Sequence, residues 1–242
     1  VRVKAQTLEA PRTTALVVAG IDVSLTGTGL VAVCGTSSDP KDLAPQVLYH
    51  TVLKPKTTGL LRLEEMVAGL QHFVEWLRGR ALAPEVWVFE GAGFASNQAH
   101  SLGMAHGALK LELFKLRHVM RFVMLNVPPN TLKVFATDQG HSEKNTMMRE
   151  VWKRWAFDAA DDNESDAFAC TMVGLCKYGH GTAQQRKAIA GKVEVIYEGR
   201  SRELADEAER EQRERSDAKR AAKRAKRDRR RARSVPSESV AG

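Results

Sequence analysis

Apolar residues along the first half of this chain come mostly in short unbroken runs. Leu16, Val17, Val18 and Ile21 show no alternation with polar residues, which predicts a strand covered on both faces in the middle of a sheet. The Gly- and Thr-rich turn Ser24 to Gly29 leads into a second run, Leu30 to Cys34, so the pair reads as a hairpin. GTSSDPKDLAP then has loop composition, and Val47 to Leu53 predicts a third strand, completing an antiparallel meander.

The spacing changes at Leu60. From there to Leu77 the apolar positions recur at three and four, which predicts an amphipathic helix. After Pro84, Glu85 to Glu90 (EVWVFE) reads as a fourth strand. Asn97 to Leu116 reads as a helix whose small residues Gly103, Ala105 and Gly107 would admit another backbone at close range. Arg121 to Val127 makes a fifth strand, stopped by Pro128 and Pro129. Ser142 to Phe157 and Asn163 to Tyr178 read as two further helices, joined by DAADDN, and Val193 to Tyr197 as at most a short added strand.

Two of these strands end in a carboxylate. Asp22 closes the first and Glu90 the fourth, and each is followed by glycine-containing turn sequence. An unpaired buried carboxylate is costly, so each needs a cation, donors or a solvated cleft beside it, or else caps the turn that follows. If the intervening helix returns the chain so that these strands run parallel, both acids emerge at one sheet edge, where open α/β sheets place their sites. A third acidic group opens the last helix. Asp162, Asn163 and Asp166 fall on one face of its first turn, although Asp161 or Asp162 is also suited to capping that helix. Asp166 lies within Ala167, Phe168, Ala169 and Cys170, a core-like composition in which an acid needs a reason. Three carboxylates without His or Cys at zinc spacing form an oxygen-rich set suited to Mg²⁺ or Mn²⁺, ions typically used on phosphates.

Charge sharpens the domain picture. Of the formal +8, residues 199–242 carry fifteen basic and nine acidic side chains, which leaves +2 for residues 1–198. The expected division is an N-terminal extension over 1–14, a folded domain over 15–195 and a charged helical or disordered tail over 196–242. Within the tail, Lys219, Arg220, Lys223, Arg224, Lys226, Arg227, Arg229, Arg230 and Arg231 form a block with almost no apolar residues. Such a block stays solvated and commonly binds nucleic-acid phosphates, or serves solubility or localisation. Cys34, Cys170 and Cys176 follow neither a disulfide nor a zinc pattern. No run approaches the ~18 apolar residues of a membrane span, and the opening residues lack a signal-like apolar segment, so a soluble, cytoplasmic protein without a membrane partner is expected.

The order β-β-β-α-β-α-β-α, with acids at the first and fourth strand ends and in the last helix, resembles the RNase H-like nucleases, and among them the RuvC-type Holliday-junction resolvases. The matching pieces are AGIDVSLTGTGLVAV, VWVFEGAGF, NVPPNTLKVFATDQGHSEKNTMM and DDNESDAFAC. The resemblance implies an α/β fold with a mixed five-stranded sheet, three antiparallel strands followed by parallel ones, flanked by helices. It implies a homodimeric endonuclease that cuts four-way junctions or other branched DNA in recombination, repair or replication, leaving 5′-phosphate ends, and that associates with the nucleoid when bound to DNA.

Asp22, Glu90 and Asp166 match the family's metal ligands. The fourth position, usually Asp or His, is Asn163 here, so either its amide oxygen or the neighbouring Asp162 fills that role. The implied mechanism uses two Mg²⁺ or Mn²⁺ ions about 3.5 to 4 Å apart. Lys144 matches a basic residue facing the scissile phosphate, although a lysine at a helix start is often only a surface residue. Phe94, after Glu90, is either a wedge at the branch point or ordinary core. His100 and His106 read as a satisfied or exposed helix face, and Met147, Met148, Trp152 and Trp155 as a packed stripe.

Two other classes fit parts of the chain. A catalytically silent branched-DNA-binding protein of the same fold would accommodate Asn163 and the basic tail. The GID opening also resembles the phosphate loop of sugar-kinase and actin-like ATPases, but their two-lobed architecture needs far more chain, and no second phosphate loop follows Glu90.

Overall fold

The structure is a computed structural model that describes residues 16–35, 45–92, 98–140 and 144–199. Its centre is a six-stranded sheet in the order β3-β2-β1-β4-β5-β6. β1 (Leu16–Asp22), β2 (Thr28–Gly35) and β3 (Gln46–Leu53) form the antiparallel meander. After α1 (Gly59–Arg78), β4 (Val86–Glu90) joins β1 in parallel. After α2 (Ala99–Lys115) and a single 3₁₀ turn, β5 (Val123–Val127) joins β4 in parallel. α3 (Pro129–Thr137), α4 (Lys144–Trp155), α5 (Asp162–Lys177) and α6 (Ala183–Ile189) follow, and β6 (Glu194–Glu198) closes the sheet antiparallel to β5.

Alternating side chains along each strand feed two cores. Ile21, Leu30, Trp87 and Phe89 pack with Met66, Leu70 and Phe73 of α1 and Leu109 of α2. Val18, Val31, Val88 and Leu125 point the other way, against Phe135 of α3, Val151 of α4 and Phe168 and Val173 of α5. Both faces are therefore covered, which explains why the strands read as continuous apolar runs.

α5 lies closest to the sheet. Every residue from Glu164 to Cys176 is buried except Asp166. This approach depends on two strand glycines. A β-carbon at Gly20 would overlap the carbonyl oxygen of Ala167, and one at Gly29 would overlap that of Asn163.

Several sequence expectations change. β5 ends at Val127, where the two prolines were expected to stop it, but the helix that follows was not anticipated: Pro129 sits at its start, where its fixed φ and missing N–H are harmless. α6 was not anticipated, although Thr182 and Gln185 form a reciprocal capping box. The short added strand does form, as Glu194–Glu198 at the sheet edge beside β5. Trp152 is 58% exposed rather than packed, whereas Met147 is buried. His106 is buried rather than exposed, and among the described residues its Nδ1 has no hydrogen-bond partner. Burial, with a smaller push from Lys110, lowers its pKa to about 4. Among the described residues nothing lies within 4 Å of a β-carbon built at Gly103 or Gly107, so no backbone packs on α2 there, whereas Ala105 is buried in the core.

Candidate active site

The β1–β4 register pairs Ile21 with Phe89, which brings the next residues, Asp22 and Glu90, side by side at the strand ends. Alternation fixes their direction. Ile21 and Phe89 enter the core beneath α1 and α2, so Asp22 and Glu90 project to the opposite face, the one α5 covers. There Asp166 meets them from the second turn of α5. One carboxylate oxygen from each of Asp22, Glu90 and Asp166 lies within 4.8 Å of the others.

These acids line a cleft of about 270 Å³ together with Ser24, Gln98, Asp162 and Asn163. The turn after Asp22 is tied by the buried Thr28, whose hydroxyl donates to the Ser24 carbonyl (2.9 Å) and accepts from the Ser24 N–H (3.3 Å). At the start of α5, Asp161 is the N-cap, its Oδ1 accepting the Glu164 N–H at 3.1 Å. With capping assigned to Asp161, Asp162 is left to face the cleft. It is not among the three residues with mutually close oxygens, yet it is near enough for its charge to act on Asp22.

Burial holds the Asp22 carboxyl well above its ordinary range, and the charges of Glu90 and Asp166, a hydrogen bond with Glu90 and the charge of Asp162 push it further. Three carboxylates crowded this closely repel one another, and a divalent cation held among them could relieve that repulsion. The donor set is oxygen only, which fits Mg²⁺ or Mn²⁺ and is poorly suited to softer metals. Beneath the acids, burial and the same three charges raise the Cys170 thiol well above its usual value, so it remains a neutral packing group.

This architecture can be compared with solved structures. A Thermus thermophilus RuvC structure superposes with a TM-score of 0.55 at 21% identity, covering 75% of this chain and all of the other. T. thermophilus RuvC in complex with a Holliday junction substrate superposes at 0.53 with 23% identity, covering 65% of this chain and 91% of the other. The fold is RNase H-like. No protein-family model and no curated protein sequence matches the chain. Within the RNase H-like fold, the acids occupy the ends of the two central parallel strands and the helix crossing them, as the sequence led one to expect.

Other anticipated residues are placed differently. Phe94 and the basic residues from Lys219 to Arg231 lie outside the described residues, as does the side chain of Lys144, whose backbone opens α4. His100 is exposed on α2. Sequence reasoning missed Gln98 and Ser24 as cleft residues. It also missed His50 on β3, which reaches Glu164 at 2.8 Å. Their separation by 114 positions left no local signal.

Proposed function

We propose that this chain is a metal-dependent endonuclease that cuts branched DNA, with four-way junctions as its main substrate class. The observation that carries this reading is the convergence of the Asp22, Glu90 and Asp166 oxygens in an open cleft. The RNase H-like fold, in which a similar protein has been captured on a Holliday junction, supports the choice of substrate.

Asp22 and Glu90 would hold one ion, and Asp22 and Asp166, with Asp162 or Asn163, would hold the other. When bound, these ions supply an activated water and a counter-charge for the departing 3′ oxygen, leaving 5′-phosphate ends. The chain's own contribution is to fix the carboxylates before substrate arrives. Lys144 would neutralise the scissile phosphate, Phe94 would wedge at the branch point, and Lys219 to Arg231 would bind flanking phosphates. Paired incisions on opposite strands require two such sites, hence a homodimer. No helix among the described residues is long and apolar enough to cross a membrane, and the reading places the protein in the cytoplasm, on the nucleoid when engaged.

The test is to incubate the protein with a mobile four-way junction, a flap and a linear duplex, with and without Mg²⁺ or Mn²⁺, and to map the ends. Metal-dependent, symmetric cuts confined to the junction are expected. Metal-dependent binding without cutting would instead identify a silent branched-DNA-binding protein.

A further inference from the structure

Glu164 is a buried acid that the proposed chemistry does not use. It is 2% exposed, in the helix turn that carries Asp162, Asn163 and Asp166. Its carboxylate is nevertheless fully engaged. Oε1 meets His50 Nδ1 at 2.8 Å, and Oε2 accepts the Ala160 N–H at 2.6 Å. Its own N–H donates to the Asp161 cap at 3.1 Å, and Asp161 in turn meets Lys54 Nζ at 3.4 Å. Burial raises the Glu164 carboxyl, but the hydrogen bonds from His50 and Ala160 and the charges of His50 and Lys54 outweigh it and bring the group below its ordinary value.

His50 and Lys54 belong to β3 and the loop after it. His50 pairs with Val31 on the face that α5 covers, and its ring packs edge-on against Phe157 at 5.6 Å. Phe157 stacks on Phe168 of α5 at 4.2 Å. The first turn of α5 is thus tied to the edge strand at Glu164, through His50, and to the loop after that strand at Asp161, through Lys54, while the Ala160 N–H closes the turn on Glu164. Helix geometry then leaves 162, 163 and 166 on the other side, facing the cleft. Rotation of the helix by one residue would carry Asp166 out of reach of Asp22 and Glu90.

We propose that His50 and Glu164 are a positioning pair that sets the rotation of α5 about its axis and so determines which oxygens of its first two turns reach the bound ions. The pair touches neither ion nor DNA, and its role rests on the metal-nuclease reading above. Groups that orient metal ligands in this way typically account for about 10–100-fold in metal affinity. His50 is suited to a test because its side chain is 47% exposed, so its removal leaves little cavity. Gln at the same position can still donate a hydrogen bond to Glu164.

The experiment measures Mn²⁺ binding by the loss of the free-ion EPR signal, and the Mn²⁺ concentration giving half-maximal junction cleavage, for wild type, His50→Ala and His50→Gln. Melting temperature and junction affinity in Ca²⁺ serve as controls. His50→Ala should bind Mn²⁺ about tenfold more weakly and need correspondingly more of it to cut. Its junction affinity should be unchanged, and His50→Gln should recover most of the loss. Unchanged Mn²⁺ binding in His50→Ala, or equal impairment of the Gln variant, overturns the positioning role. If His50→Ala loses Mn²⁺ affinity while the wild type cuts no branched substrate, the positioning role stands and the nuclease reading falls. A wild type that binds no Mn²⁺ overturns both.

Discussion

Asp22 and Gly29 face each other across the first hairpin, and the space above Gly29 is filled by the backbone carbonyl of Asn163. The site's first carboxylate is therefore opposite one of the two points, with Gly20, where the helix bearing Asp166 comes closest to the sheet. Gly29→Ala or Gly20→Ala should push α5 away from the sheet at a cost of about 1–3 kcal/mol, lowering the melting temperature by about 2–12 °C. Cleavage should fall even at temperatures where the variant is fully folded. Calorimetry with a cleavage assay well below the transition checks this; full activity in a folded Gly29→Ala protein would refute it.

Asp22→Asn, Glu90→Gln and Asp166→Asn should each reduce junction cleavage by more than the roughly 100-fold that repositioning a ligand costs, while leaving junction affinity in Ca²⁺ nearly intact. Single-turnover rates beside gel-shift titrations separate the two effects. Near-normal cutting by any one variant removes that residue from the site.

The raised Asp22 pKa makes metal-free stability depend on pH. Between the ordinary carboxylate range and the elevated folded value, the native protein holds a proton that the unfolded chain releases. Stability should therefore fall as pH rises through that window. Saturating Mg²⁺ should flatten the slope, because bound cations replace the proton. In EDTA, Asp22→Asn should melt at or above the wild-type temperature near neutral pH. Thermal melts across pH with and without Mg²⁺ test the sign.

Asp162 and Asn163 both line the cleft, but only Asp162 brings charge to it. Asp162→Asn should raise the metal concentration needed for cleavage by about tenfold, and Asn163→Ala should change it less. The reverse order would assign the fourth position to the Asn163 amide oxygen.

Deleting residues 218–233 removes ten basic side chains. If they bind phosphates, junction affinity should weaken and the slope of log K against log salt should become shallower by about 0.9 for each phosphate no longer neutralised. Binding isotherms from low to moderate salt decide this, and an unchanged slope gives the segment another task.

The acids at the ends of β1 and β4 were legible because each interrupts a run too apolar for a surface strand, and a charge there demands a partner. Asp166 was legible by the same contrast, set among Ala167, Phe168 and Cys170. Pro128 and Pro129 were legible as the end of β5 but not as the start of α3, because prolines punctuate extended chain as readily as they open a helix. The capping box at Thr182 and Gln185 was readable, but α6 buries only Ile189, too little to announce itself as periodicity. The His50–Glu164 pairing was beyond reach, since it depends on β3 and α5 packing across more than a hundred residues of chain. The roles of Gly20 and Gly29 were visible only as glycines inside strands, without indication of what lay above them.

Cys170 lies one helical turn beyond Asp166, sealed between α5 and the sheet with its thiol kept protonated, and Cys34 and Cys176 are buried as well. A thiol reagent in solution can reach these sulfurs only when packed elements part, and at Cys170 the speed of labelling counts breathing events in the very layer that carries the acids. The molecule thus has its own stopwatch, and ions that staple the two central strands to the crossing helix should slow it.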